Sequence, residues 1–240
     1  MSLREAAAAA NLSLPTTHRI LSTLKSAGAL SGNQDGTYTL GPRLLALHEQ
    51  YTQTKRAVQD VVEAHMTAML TDSAMSVRLS VLDVTEIYIF AGVDNGVNAK
   101  MRSQVGARYE AYCTAPGKVL LAGLSSRKLD DYVFSAGFVA MTSNTIVVPS
   151  RLSDEIKRVH VTGYAVDDGE FIDGVRCLSV PVRMADGQIV AALSVAGERM
   201  SLKNISRSVA CLTASANDLA DKLSRIPGSL RVLHSTADCA

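Results

Sequence analysis

The apolar positions along this chain change their period several times, and each change marks an element. Ser2-Leu3-Arg4-Glu5 has capping-box spacing, so a helix is expected to start at once and run through the alanines Ala6 to Ala10. Asn11-Leu12-Ser13 interrupts it. Ser13 is a natural N-cap for a second helix, Pro15 is tolerated in its first turn, and Gly28 suits the position after its end near Ala27. Ile20, Leu21, Leu24 and Ala27 are read as the buried face of that helix, with Thr16, Arg19, Thr23 and Ser26 on the other. Two short extended pieces, 29–31 and 37–40, flank the turn-rich Gly32-Asn33-Gln34-Asp35-Gly36 and predict a hairpin.

After Gly41-Pro42 helical spacing returns, from 43 towards 51 and then through 58–70. From Ser76 the period drops to two: Val77, Leu79 and Val81 alternate with Arg78 and Ser80, and Ile87-Tyr88-Ile89-Phe90 follows a charged turn. Helices are expected at 116–124, 126–135 and 151–161, strands at 164–167, 177–183 and 189–195, and a closing helix at 205–223. Ala185-Asp186-Gly187 reads as a hairpin turn. Strands first, helices between and a late hairpin make an α+β sensor-like domain rather than a βαβ repeat.

Composition narrows the class. Hydrophobic residues at 47% and charged residues at 20% exclude wholesale disorder. A formal charge of +1 excludes a uniformly basic nucleic-acid coat, although residues 1–55 carry five basic and three acidic side chains. No apolar run is long enough to cross a bilayer, and the first ten residues lack signal-peptide anatomy. Cys113, Cys177, Cys211 and Cys239 show neither CxxC spacing nor a nearby histidine pair, so no zinc finger, disulfide framework, metal or cofactor is expected. The reading is a soluble cytoplasmic protein with reduced thiols and no membrane partner.

Helix, short turn, helix and hairpin is the layout of a winged helix-turn-helix. Any amphipathic helix has a solvated polar face. Here that face is free of acids and coupled to a hairpin, which favours DNA: Arg pairs with guanine edges, and hydroxyls reach phosphates or bases. Thr16, Thr17, His18, Arg19, Thr23 and Lys25 on the helix, with Tyr38 on the wing, are the candidate DNA contacts.

Residues 14–24, Leu-Pro-Thr-Thr-His-Arg-Ile-Leu-Ser-Thr-Leu, and the wing Gly36-Thr37-Tyr38-Thr39-Leu40-Gly41 resemble the DNA-reading elements of IclR-type bacterial transcriptional regulators. Tyr112-Cys113-Thr114-Ala115-Pro116-Gly117-Lys118 resembles the family's turn-to-helix element. Gly163-Tyr164-Ala165-Val166-Asp167-Asp168-Gly169-Glu170, followed by Gly174-Val175-Arg176-Cys177, resembles its C-terminal signature, and Ala191 to Gly197 its pocket-closing strand. The resemblance runs in order from about residue 2 to 223. It implies a winged helix-turn-helix joined by a helix to a GAF-like effector domain, assembled as dimers or tetramers on double-stranded operator DNA and controlled by a small organic effector, aromatic or carboxylic. By position it places Met101, Tyr109, Ala115, Pro116, Asp167, Val175, Cys177 and Ser194 at the effector. Pro116 stands where many relatives have leucine, and Ala196 where many have a hydroxyl. The expected division is 1–41 winged helix-turn-helix, 42–57 linker helix, 58–225 effector domain and 226–240 flexible tail. Relatives carry a further helical arm ahead of the first helix read here. The first domain is therefore expected to lack one helix and be the less stable, with the gene product extending upstream of Met1.

Each site has a plainer reading. Asp167 serves equally to cap the 167–170 turn, Cys177 as a small core hydrophobe, and Ser194 as a donor to a backbone carbonyl. Two rival functions remain: an enzyme with Cys177 as nucleophile, His160 as base and Asp167 as orienter, and a ligand-binding sensor that does not bind DNA. The first lacks an oxyanion-hole glycine cluster, and no catalytic residue is assigned.

Overall fold

The computed structural model describes residues 1–70, 75–94, 105–135, 137–198, 200–201 and 205–234. It forms two compact units, Met1–Lys55 and Arg56–Ala240. In the first unit, α1 (Leu3–Ala10) opens with the complete Ser2/Glu5 capping box and ends at Asn11 in the left-handed region. The second helix, α2 (Leu14–Ser26), starts at Ser13, whose hydroxyl accepts from Thr16 N. Strands β1 (Leu30–Gly32) and β2 (Tyr38–Leu40) pair antiparallel, and Ser2 bridges to Thr37 beside them. Only Thr17 and Leu21 of α2 are buried. Ile20 and Leu24, assigned to the inner face from periodicity, are 42% and 40% exposed, and Ala27 is exposed too. The reason is size: an eight-residue helix of mostly alanine covers a single stripe of its neighbour.

A single helix, α3 (Pro42–Met69), replaces the two pieces read from the sequence. After Pro42 it contains neither glycine nor proline, so nothing interrupts it, and the division between the units falls inside it. The linker expected at 42–57 is therefore its first half. In its second half Val58, Val62, His65 and Met66 form a buried stripe at helical spacing.

The second unit is built on a six-stranded antiparallel sheet. Its strands are β3 (Ser76–Asp83), β4 (Glu86–Asp94), β5 (Arg108–Glu110), β6 (Ala165–Asp168), β7 (Arg176–Arg183) and β8 (Ile189–Gly197), in spatial order β5-β4-β3-β8-β7-β6. One face carries Val77, Leu79, Phe90, Leu178, Val180 and Leu193 against α3, α7 (Ile205–Ser224) and α8 (Ser229–His234). The other face meets α4 (Ala115–Leu121), α5 (Ser126–Ser135) and α6 (Pro149–Thr162) around Ile87, Ile89, Tyr112, Val119, Leu152 and Ile156. This is the α+β, GAF-like arrangement. The expected flexible tail is corrected over 226–234: α8 inserts Val232 and Leu233, 2% and 0% exposed, into the first of these cores. Pro227 and Gly228 turn the chain there rather than ending its order.

A polar cluster ties α3 to α7. His65 Nε2 lies 2.8 Å from Ser215 Oγ, and Nδ1 lies 3.1 Å from Lys222 Nζ and 3.4 Å from Asp218. Burial, with the Lys222 charge, holds the His65 pKa below its usual value. The imidazole is thus neutral at pH 7, accepting from Lys222 at Nδ1 and donating to Ser215.

Candidate effector pocket

Thr114 caps α4, its hydroxyl accepting from Gly117 N at 3.2 Å and donating to Glu110 O at 3.0 Å. All seven residues of α4 are buried. Gly117 is required there, because a Cβ would sit 2.1 Å from Ala111 O. Lys118, fully buried, donates to Val166 O at 3.3 Å and to Glu170, with Glu155 at 3.8 Å. These bonds pin α4 to β6 and α6.

Between α4 and the sheet lies a cavity of about 270 Å³. Ser76, Arg78 and Ser80 of β3, Ile89 of β4, Cys177 of β7, and Ser194 and Ala196 of β8 form its sheet side. Tyr109, Thr114, Pro116, Asp167, Phe171, Ile172 and Val175 form the rest. The Tyr109 and Phe171 rings meet edge-on, centroids 5.1 Å apart.

Asp167 is 5% exposed and does two things. Its Oδ1 accepts from Glu170 N at 2.6 Å and Phe171 N at 3.4 Å, capping the turn, and the same residue lines the cavity. Burial raises its pKa to about 7 against the opposing pull of those backbone donors. Ser194 Oγ donates to Arg78 O at 3.5 Å. Arg78 is 5% exposed; Nη1 donates to Val77 O and Val93 O, each at 3.1 Å, and Nη2 lies 3.5 Å from Asp94.

Of the positions expected at the effector, Tyr109, Pro116, Asp167, Val175, Cys177 and Ser194 line this cavity. Ala115 is buried in α4 but is not part of the wall, and Met101 lies outside the described residues. Sequence reasoning missed Arg78, Ser80, Ser76 and Phe171. The alternation in β3 is legible in the sequence, but alternation alone does not tell what covers its polar half. For the enzyme alternative, His160 Nδ1 lies 2.9 Å from Ala122 O, and burial pushes the Cys177 thiol far up, leaving it protonated. Cys113, also buried, is pushed up to about 12, whereas Cys211 is exposed.

In the first unit, His18, Arg19, Thr23 and Lys25 are exposed on α2, while Thr16 and Tyr38 are half-buried. Thr17 is 4% exposed and donates to Ser13 O at 3.0 Å, so its hydroxyl is turned inward and spent on its own helix.

Residues 50–225 match the family model described as the bacterial transcriptional regulator IclR C-terminal domain. The chain belongs to the IclR family. The regulator KdgR of Dickeya chrysanthemi is 28% identical over 217 residues, covering 88% of this chain and 70% of that protein. The Pca regulon regulatory protein of Pseudomonas putida is 32% identical over 212 residues, covering 85% and 71%. Among solved structures, the Thermotoga maritima IclR aligns with a TM-score of 0.65 and 26% identity, over 93% of this chain and 91% of that one. Among the described residues, no helix of this IclR-family protein is long and apolar enough to cross a membrane.

Proposed function

We propose that this IclR-family protein is a DNA-binding transcriptional regulator whose hold on operator DNA is set by a compact organic molecule in the cavity between α4 and the sheet. The cavity carries the reading: it combines apolar walls with a few convergent polar groups, the usual recipe for a small-molecule site. Asp167 and Ser194 supply polar anchors, and Tyr109, Pro116, Val175 and Cys177 an apolar wall. Support for DNA comes from α2, which bears no acidic side chain and exposes His18, Arg19, Thr23 and Lys25 beside the hairpin. Thr16 and Tyr38 complete the contact set, from which Thr17 is dropped for its burial. The family resemblance adds a dimer or tetramer on a two-fold operator.

Arg19→Ala should weaken operator binding by about 1–3 kcal/mol with relaxed base preference if Arg19 reads a base. If it meets phosphate alone, affinity falls on all sequences and the salt slope shrinks by about one. Unchanged affinity and slope would remove α2 as the reader. Ser194→Leu fills the cavity and should abolish ligand-induced thermal stabilisation while the fold survives. A ligand whose effect persists in that variant binds elsewhere.

A further inference from the structure

A molecule that binds in this cavity has to pass one of its walls, and the described walls differ in how they are held. The sheet side is fixed by strand pairing, and α4 by Lys118 and by the close approach of Gly117 to Ala111. Phe171, Ile172 and Val175 belong instead to the connector 169–175 between β6 and β7. The first part of that connector is a post. Glu170 N donates to Asp167 Oδ1 at 2.6 Å, and Glu170 O accepts from Thr145 Oγ1 at 2.6 Å and Thr142 Oγ1 at 3.2 Å. Gly169 O accepts from Thr142 Oγ1 at 2.7 Å, and the Glu170 carboxylate meets buried Lys118. Beyond Glu170 the bonds lengthen or turn inward. Phe171 N reaches the same Oδ1 at 3.4 Å, and Val175 N donates to Ile172 O at 3.1 Å, closing a turn of the connector on itself. Asp173 and Gly174 at the tip are exposed. Gly174 has a φ of 76°, which strains any other residue, and a Cβ there would meet nothing within 4 Å. Closure rests on apolar contact, with Phe171 edge-on to Tyr109 and Val175 6% exposed.

We propose that residues 171–175 are the entry flap of the cavity, turning outward between the Glu170 post and Gly174, so that an effector enters and leaves beneath Phe171. A flap needs an anchored end, a residue that can take up the change in φ and ψ, an underside that seals the site, and room outside. Glu170, Gly174, Phe171 with Ile172, and the exposed tip provide these in turn. Thr142 and Thr145 are positioning residues in this scheme, since they hold the post from which the flap turns. The inference rests on the effector reading of this cavity and adds the route by which that site is reached.

Fluorine NMR of the full chain grown with 4-fluorophenylalanine tests it, since the sequence has only four phenylalanines. Phe90, fully buried, and Phe134, 86% exposed, mark the two ends of the shift scale, and Phe171→Leu identifies the Phe171 line. That line should exchange with an exposed state on the microsecond-to-millisecond timescale of lid motions, while the Phe90 line stays single. Gly174→Ala strains the closed form and should raise the open population about 5- to 30-fold. Gly174→Asn, which tolerates the left-handed region, should raise it less. Alkylation of Cys177 by iodoacetamide, located by mass spectrometry, should speed up in Gly174→Ala by the same factor, while Cys113, buried outside the cavity wall, keeps its rate. A Phe171 line that neither exchanges nor moves in Gly174→Ala overturns the flap. Exchange of Phe90 together with Phe171, or equal acceleration of Cys113, means that the whole unit opens and overturns it as well. A Phe171 line that responds while Cys177 does not overturns the route of entry. Ser194→Leu judges the effector reading with no change to the flap, so either can fail alone.

Discussion

In Met1–Lys55 the buried apolar side chains are Ala6, Ala7 and Leu21, whereas Arg56–Ala240 closes two apolar cores on opposite faces of one sheet. The first unit is held mainly by local devices: a capping box, a second N-cap and a three-residue hairpin ladder. Leu12, Leu14, Ile20 and Leu24, each 40–46% exposed, gain only part of the roughly 1.5–3 kcal/mol that full burial of such side chains supplies. Helix-turn-helix geometry can thus be written by caps and turns alone, while resistance to unfolding has to come from packed layers.

The contrast breaks most visibly under core truncation. Leu193→Ala, at a fully buried position, should cost about 2–5 kcal/mol in the main urea transition. Leu21→Ala should leave that transition in place, since it lies in the other unit. Equal shifts from both variants would mean that the units unfold as one. Hydrogen exchange sharpens the same point: amides at 20–24 should exchange at least about 100-fold faster than those at 178–182. Equal protection would contradict it.

A pH effect from a buried carboxyl should arise in the larger unit. The Asp167 pKa rises on folding from 3.8 to about 7, so its contribution is fully present below about pH 3.8 and is lost progressively up to about pH 7. Asp167→Asn keeps the Oδ1 acceptor for Glu170 N and Phe171 N and removes the charge. Its stability advantage over the native chain should grow across that window by on the order of 2–4 kcal/mol, read from urea midpoints at several pH values. A constant difference would show that the carboxyl is not buried as described.

His65 should give the smallest effect, with the opposite sign. Its pKa falls on folding, so stability holds above about 6.5 and declines as acid protonates the unfolded chain first. His65→Gln should flatten the pH dependence of unfolding below about pH 6.5, read from urea midpoints at several pH values. An unchanged slope would remove His65 as its source.

Local signals carried much of this fold into view. The Ser2, Ser13 and Gly28 caps, the Asp186-Gly187 turn and the alternation of β3 are all properties of neighbouring residues. What escaped depends on layers that the local pattern does not contain. Periodicity placed Ile20 and Leu24 inward, but only packing reveals whether a partner covers them. Arg78 and Ser80 alternate as polar residues do on a solvated strand, yet α4 and the 169–175 loop cover that face. Pro227 and Gly228 resemble the start of a fraying end, while Val232 and Leu233 nearby are apolar enough to rejoin the core. Asp167, Cys177 and Ser194 were reached through family motifs. For Asp167 the sequence offers turn cap and effector contact as alternatives, whereas the folded chain has one side chain that caps the turn and lines the cavity.

The placement of the thiols makes the molecule its own reporter. Cys211 faces water, whereas Cys113 and Cys177 lie inside, protonated and out of reach of a disulfide reagent. Release of chromophore from such a reagent should therefore come in phases, with the buried thiols reacting only as fast as the structure breathes. Because Cys177 forms part of the cavity wall, its slow phase is a clock for the opening of that wall. A molecule seated in the cavity should slow that clock, so occupancy could be followed with no label on the ligand and no DNA in the tube.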